Sequence, residues 1–135
     1  MYRHLLVPIS LDEGLDVSPT LAAAKQLSSA GTRVTLLHVM GKVPEYASSY
    51  LPFGYQDETR AQIESALTDI GSELSEVEGV VRHGAPAKVI PEFAQEHDVD
   101  CIILSKNAAP GKELRRQEVV AHLVRSAPCA IHIVK

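Results

Sequence analysis

Three runs of this chain, RHLLVPI (3–9), TRVTLLHV (32–39) and DCIILS (100–105), carry apolar side chains on both faces. A strand with one wet face alternates apolar and polar residues. A run that is apolar on both sides must be covered on both sides, which is the situation of a central strand in a parallel sheet. Parallel neighbours cannot be joined by a hairpin and need a crossover, usually helical. The stretches between these runs supply it. Ser18-Pro19 reads as an N-cap followed by proline in the first turn, opening TLAAAKQLSSA up to Gly31. DETRAQIESALTDIGSELSEV (57–77) sets Ile63, Leu67, Ile70 and Leu74 on one face at helical spacing. A shorter strand (78–83), a helix over 86–97, a helix over 112–126 and a last strand over 128–134 complete the pattern. Pro91 falls inside the 86–97 helix and removes a backbone donor, so a kink or a late start is expected there. Strands alternating with helices predict right-handed βαβ units: one α/β domain over 1–135, an open parallel sheet with helices on both faces.

The 135 residues suffice for one core without staples, and 45% hydrophobic with 22% charged is ordinary for a globular domain. A net charge of −4 argues against a general nucleic-acid binder, which needs a basic surface. The opening MYRHLLVPIS has an apolar run of five residues before Asp12 and Glu13, too short for a signal peptide or a membrane span. A cytoplasmic protein without membrane or nucleic-acid partners is the expectation. Cys101 and Cys129 lie in apolar strand-like runs and read as reduced core thiols.

No catalytic constellation emerges. The chain has no G-x-S-x-G turn for an exposed serine nucleophile and no electropositive setting for either cysteine. Histidines 4, 38, 83, 97, 122 and 132 form neither an H-x-x-x-H pair nor a Cys/His cluster, so no metal site is expected. His38 and His132 lie within strands and read as packing residues. A phosphoacceptor receiver would require an aspartate at the end of the third strand, where this chain has Val81-Arg82-His83-Gly84.

What remains is the crevice beyond the carboxyl ends of the strands, where an open α/β sheet binds its ligands at the reversal of its winding. If strands two and three lie on one side of the first, and four and five on the other, the walls are Ser10-Leu11-Asp12, Val39-Met40 and Ser105 through Gly111. Lys106, Lys112, Arg115 and Arg116 lie nearby, and a helix N-terminus adds its positive end. An anion would be favoured there.

The segments HLLVPIS, VTLLHV, HGAPAKVI, DVDCIILS and VVAHLVRSAPCAIHIV resemble, in order and spacing, the universal stress protein family, from Tyr2 to Val134. The resemblance implies strand order 3-2-1-4-5, a homodimer, and a stress-related role without established catalysis. Nucleotide-binding members carry Gly, two residues, Gly, nine residues, then Gly-Ser or Gly-Thr after strand four, so that backbone amides approach phosphates. Here those positions hold Ser105, Asn107 or Ala108, and Gln117-Glu118, on a loop one residue shorter, while Ser10 replaces the nucleotide-contacting aspartate. Val39 matches the position whose backbone meets adenine. The matched crevice positions are therefore Pro8, Ile9, Ser10, Val39, Leu104, Ser105, Lys106, Asn107, Gln117 and Glu118. Glu118 is expected to set a negative charge where phosphates would lie. The resemblance thus implies weak or no ATP binding and no cofactor; its alternative is a sensor that keeps ATP, AMP or another anion between strands one and four.

Two further expectations concern surfaces. The loop 40–57 holds Tyr46, Tyr50, Phe53 and Tyr55, and its length suits a lid over the crevice or a contact with a partner subunit. The strand 128–134 is followed only by Lys135 in this sequence, and its apolar margin suits antiparallel pairing with a second copy about a point near Ile131 or His132.

Overall fold

The computed structural model describes residues 2–11, 16–41, 55–108 and 110–135. In chain order the elements are β1 (His4–Pro8), α1 (Ser18–Leu27), β2 (Arg33–Met40), α2 (Tyr55–Ile70), β3 (Val77–His83), α3 (Pro86–Glu96), β4 (Cys101–Ser105), α4 (Glu113–Ser126) and β5 (Ala130–Val134). All strand pairs are parallel, and the sheet order is β3-β2-β1-β4-β5. β1 is central, with Leu5 opposite both Val34 of β2 and Cys101 of β4.

Both faces of β1 and β4 are buried, as their sequences require. Leu5, Val7, Cys101 and Ile103 point to one side, where Ala24 of α1 and Leu67 of α2 cover them. Leu6, Ile102 and Leu104 point to the other, against Ile90, Phe93 and Ala94 of α3 and Leu123 of α4. Eleven of the largest of these side chains are essentially inaccessible to solvent, from Leu5 to Cys101. Truncating one such residue costs about 2–5 kcal/mol, so this double core is what holds the crevice walls in place.

The structure refines several local expectations. The helix expected over 57–77 begins at Tyr55 and ends at Ile70. Gly71 turns the chain so tightly that a β-carbon there would lie 2.6 Å from Val77 and 2.9 Å from Leu36. Leu74 still reaches the core, but from the turn. Ser18 is the first residue of α1 rather than its cap. The Asp16 carboxylate instead accepts the Ser18 amide at 3.0 Å, and that bond holds Asp16 below its ordinary pKa. α1 also stops at Leu27, four residues before Gly31, because the Ser28 hydroxyl donates back to the Ala24 carbonyl at 2.6 Å. α3 has no late start: Ala85 is extended, Pro86 opens the helix, and Pro91 sits within it. The loop expected over 40–57 ends where α2 begins, and its Tyr46, Tyr50 and Phe53 lie outside the described residues.

Candidate functional site

The strand order puts the carboxyl ends of β1 and β4 side by side at the reversal of winding. A crevice of about 250 Å³ opens there. Pro8, Ile9 and Ser10 leave β1 along one wall, with Leu37, Val39 and Gly41 from β2 and Leu104 from β4. The start of α3 contributes Gly84, Ala85, Pro86 and Ile90, because the crossover from β3 to β4 must pass over the centre of the sheet. Gly84 makes this entry with φ +136°, a conformation β-branched and bulky residues avoid, while its amide donates to the Met40 carbonyl at 2.8 Å. The remaining wall is α4, through Lys112, Arg115, Arg116, Val119 and Val120.

Of the residues expected from sequence, Pro8, Ile9, Ser10, Val39 and Leu104 line this crevice, whereas Ser105, Lys106, Asn107, Gln117 and Glu118 do not. The reason is explicit for the loop. The Lys106 amide donates to the Val134 carbonyl at 2.8 Å, and the Asn107 amide to the Ser105 hydroxyl at 3.1 Å. The first two amides after β4 are thus engaged within the protein. Glu118 is exposed, on a side of α4 away from the crevice-lining stripe, so the repulsion expected from it is screened by water. Sequence reasoning missed Leu37, Gly41, the start of α3, Ile90, Val119 and Val120. The α4 stripe was detectable: counting back in helical steps from the core residue Leu123 reaches 120, 119, 116, 115 and 112.

Among the described residues, the crevice lining has an apolar floor and three cations, with no Asp, Glu, His or Cys. Ser10 carries the only hydroxyl among those described lining residues. Among the described residues no group of three or more His, Cys, Asp or Glu could hold a metal ion, and no helix is long and apolar enough to cross a membrane. Burial pushes both thiols, Cys101 and Cys129, above their ordinary pKa, the direction of an unreactive cysteine. His38 is buried behind the crevice with Nδ1 at 3.0 Å from the Ile9 carbonyl, tying β2 to the chain leaving β1. His132, expected to pack, is instead exposed on β5.

A second polar cluster, not anticipated from sequence, closes the opposite end of the same strands. His4 is 4% exposed; its Nδ1 donates to the His97 carbonyl at 3.0 Å, which leaves Nε2 to accept from the Thr35 hydroxyl at 2.7 Å. The Asp100 carboxylate accepts the amides of Arg3 and His4. Burial pushes the His4 imidazole below its ordinary pKa, only partly offset by the His97 bond.

The model of the universal stress protein family matches residues 1–135. Solved structures agree in fold. Hypothetical protein MJ0577 is 18% identical, with a TM-score of 0.72 over 100% of this chain and 96% of that one. A universal stress protein in complex with cAMP is 18% identical, with a TM-score of 0.69 over 99% and 97% of the two chains. The universal stress protein from Archaeoglobus fulgidus in complex with dAMP is 20% identical, with a TM-score of 0.63 over 99% and 98%. No curated protein matches the chain significantly in sequence.

Proposed function

Since the chain belongs to the universal stress protein family, we propose that it is a non-catalytic stress-response sensor that binds a compact adenine nucleotide of the monophosphate class between β1 and β4. The observation that carries this reading is the crevice lining, apolar on its floor with Lys112, Arg115 and Arg116 as the charged residues among its described members. At about 250 Å³ it lies just below the roughly 300–1,000 Å³ of common small-molecule pockets, which favours a small ligand. The complexes of two family members with cAMP and dAMP support the same class. ATP fits less well, because a triphosphate needs backbone amides along its length and two of those after β4 are engaged. The described lining residues include no acid and no strong nucleophile, which supports a binding role over catalysis.

Calorimetric titration with AMP, cAMP and ATP, with and without magnesium, tests the reading. AMP should bind in roughly the micromolar range, with ATP weaker by about tenfold. Low-micromolar ATP affinity, or no binding of any adenylate, would contradict it.

We further propose that the sensor is a homodimer through β5. That strand pairs only with β4 among the described residues, and Ile133 of β5 and Val124 of the adjoining α4 are 41% and 58% exposed. Light scattering should find a dimer at tens of micromolar protein and loss of that dimer in Ile131→Pro; a wild-type monomer would refute it.

A further inference from the structure

α4 turns one stripe to the crevice: Lys112, Arg115, Arg116, Val119 and Val120, at the i, i+3, i+4, i+7, i+8 spacing of a single helical face. The stripe changes character along its length. Its first turn is cationic; its second is apolar and leads to Leu123 in the core. Every other described lining residue, from β1, β2, β4 and the start of α3, is uncharged. The crevice is therefore polarised, apolar towards the core and positive where α4 begins, and the helix's own N-terminal dipole adds to the same end. The loop that would otherwise contribute amides has committed those of Lys106 and Asn107 to Val134 and Ser105.

We propose that the side chains of Lys112, Arg115 and Arg116 hold the ligand's phosphate in place of backbone amides, and that this makes the site selective for a ligand ending in a compact dianion. The inference rests on the adenylate reading and specifies how that site discriminates. A guanidinium fork binds two phosphate oxygens at once, and two forks with an ammonium answer the three terminal oxygens of a phosphate monoester. A cyclic phosphodiester offers two free oxygens and one charge. A triphosphate extends beyond one helical turn, and the Lys106 and Asn107 amides that would meet its length are already engaged. Glu118 lies off the stripe and takes no part.

The test is titration of the full chain with AMP, cAMP and adenosine. AMP should bind about fivefold or more tightly than cAMP. Arg115→Gln and Arg116→Gln should each weaken AMP by about tenfold, while changing adenosine binding less than about twofold. Arg115→Lys, which keeps the charge but loses the fork, should recover only part of the loss. With the unaltered protein, raising salt from about 50 to 300 mM should weaken AMP several-fold and leave adenosine nearly unchanged. If AMP binds but neither the arginine variants nor salt alter its affinity, the side-chain grip is wrong and the adenylate reading survives. If the unaltered protein binds neither AMP nor adenosine, the adenylate reading itself fails and takes this inference with it.

Discussion

The two ends of β1 and β4 follow opposite plans. At the amino ends, polar groups are consumed internally: His4 sits between the His97 carbonyl and the Thr35 hydroxyl, and Asp100 accepts the amides of Arg3 and His4 while its own amide donates to the His4 carbonyl at 2.9 Å. At the carboxyl ends, three cations face a crevice with no carboxylate among its described lining residues. Both ends are built on the same apolar strands. Burial without a bonding partner is costly for a polar group, so the first end is organised for stability. The second places three cations along the crevice wall, where an anion entering the crevice would meet them. A group's role follows from where its bonding capacity is spent.

The comparison predicts that substitutions separate by end. His4→Ala should have the larger effect on folding, about 2–4 kcal/mol less stable in urea unfolding, because it leaves a cavity and strips partners from Thr35 and His97. AMP affinity in that variant, measured where it is still folded, should be unchanged. Loss of both stability and AMP affinity would mean the ends are coupled.

The same histidine gives a smaller, pH-dependent effect. Its folded pKa lies below the ordinary value of about 6.5, so the unfolded chain takes up a proton first. Stability contributed by neutral His4 is full above about pH 6.5 and is lost as pH falls from there towards the folded value, with a slope of at most ~1.4 kcal/mol per pH unit. His4→Gln should flatten that slope in urea midpoints measured from pH 7.5 to 5.5. An identical slope in both proteins would remove His4 as its source.

The smallest effect is expected at Glu118, at the other end of the strands but off the crevice stripe. Glu118→Gln should change AMP and ATP affinity by less than about twofold, since its charge is exposed and screened. A tenfold gain for ATP would restore the idea that this carboxylate blocks a triphosphate.

Most of the fold was legible because the apolar runs and helical periods state it directly. The doubly buried strands and the two-sided covering of helices follow from runs such as HLLVP and CIILS, whereas the strand order came from the resemblance to the family. Boundaries set by single contacts were not legible. The end of α2 depends on how closely Gly71 approaches Val77 and Leu36, and at the start of α1 the Ser18 amide is met by the Asp16 carboxylate while Val17, the N-cap, offers no side-chain bond. In the crevice, strand-end residues such as Pro8, Ile9 and Leu104 were read correctly as neighbours of the cleft. Gln117 and Glu118, matched to the motif by linear count, lie off the crevice stripe because that count ignores the phase of the helix that carries them. His4 was invisible for a different reason: its partners lie 31 and 93 residues away, and no local pattern marks them.

Amide chemical-shift mapping with AMP tests the division between the two ends most directly. The account predicts perturbations concentrated at Ile9–Ser10, Leu37–Gly41, Gly84–Ile90 and Glu113–Val120, with Arg3–His4, Thr35 and His97–Asp100 unmoved. Shifts centred on the His4 end, or none at millimolar AMP, would contradict it.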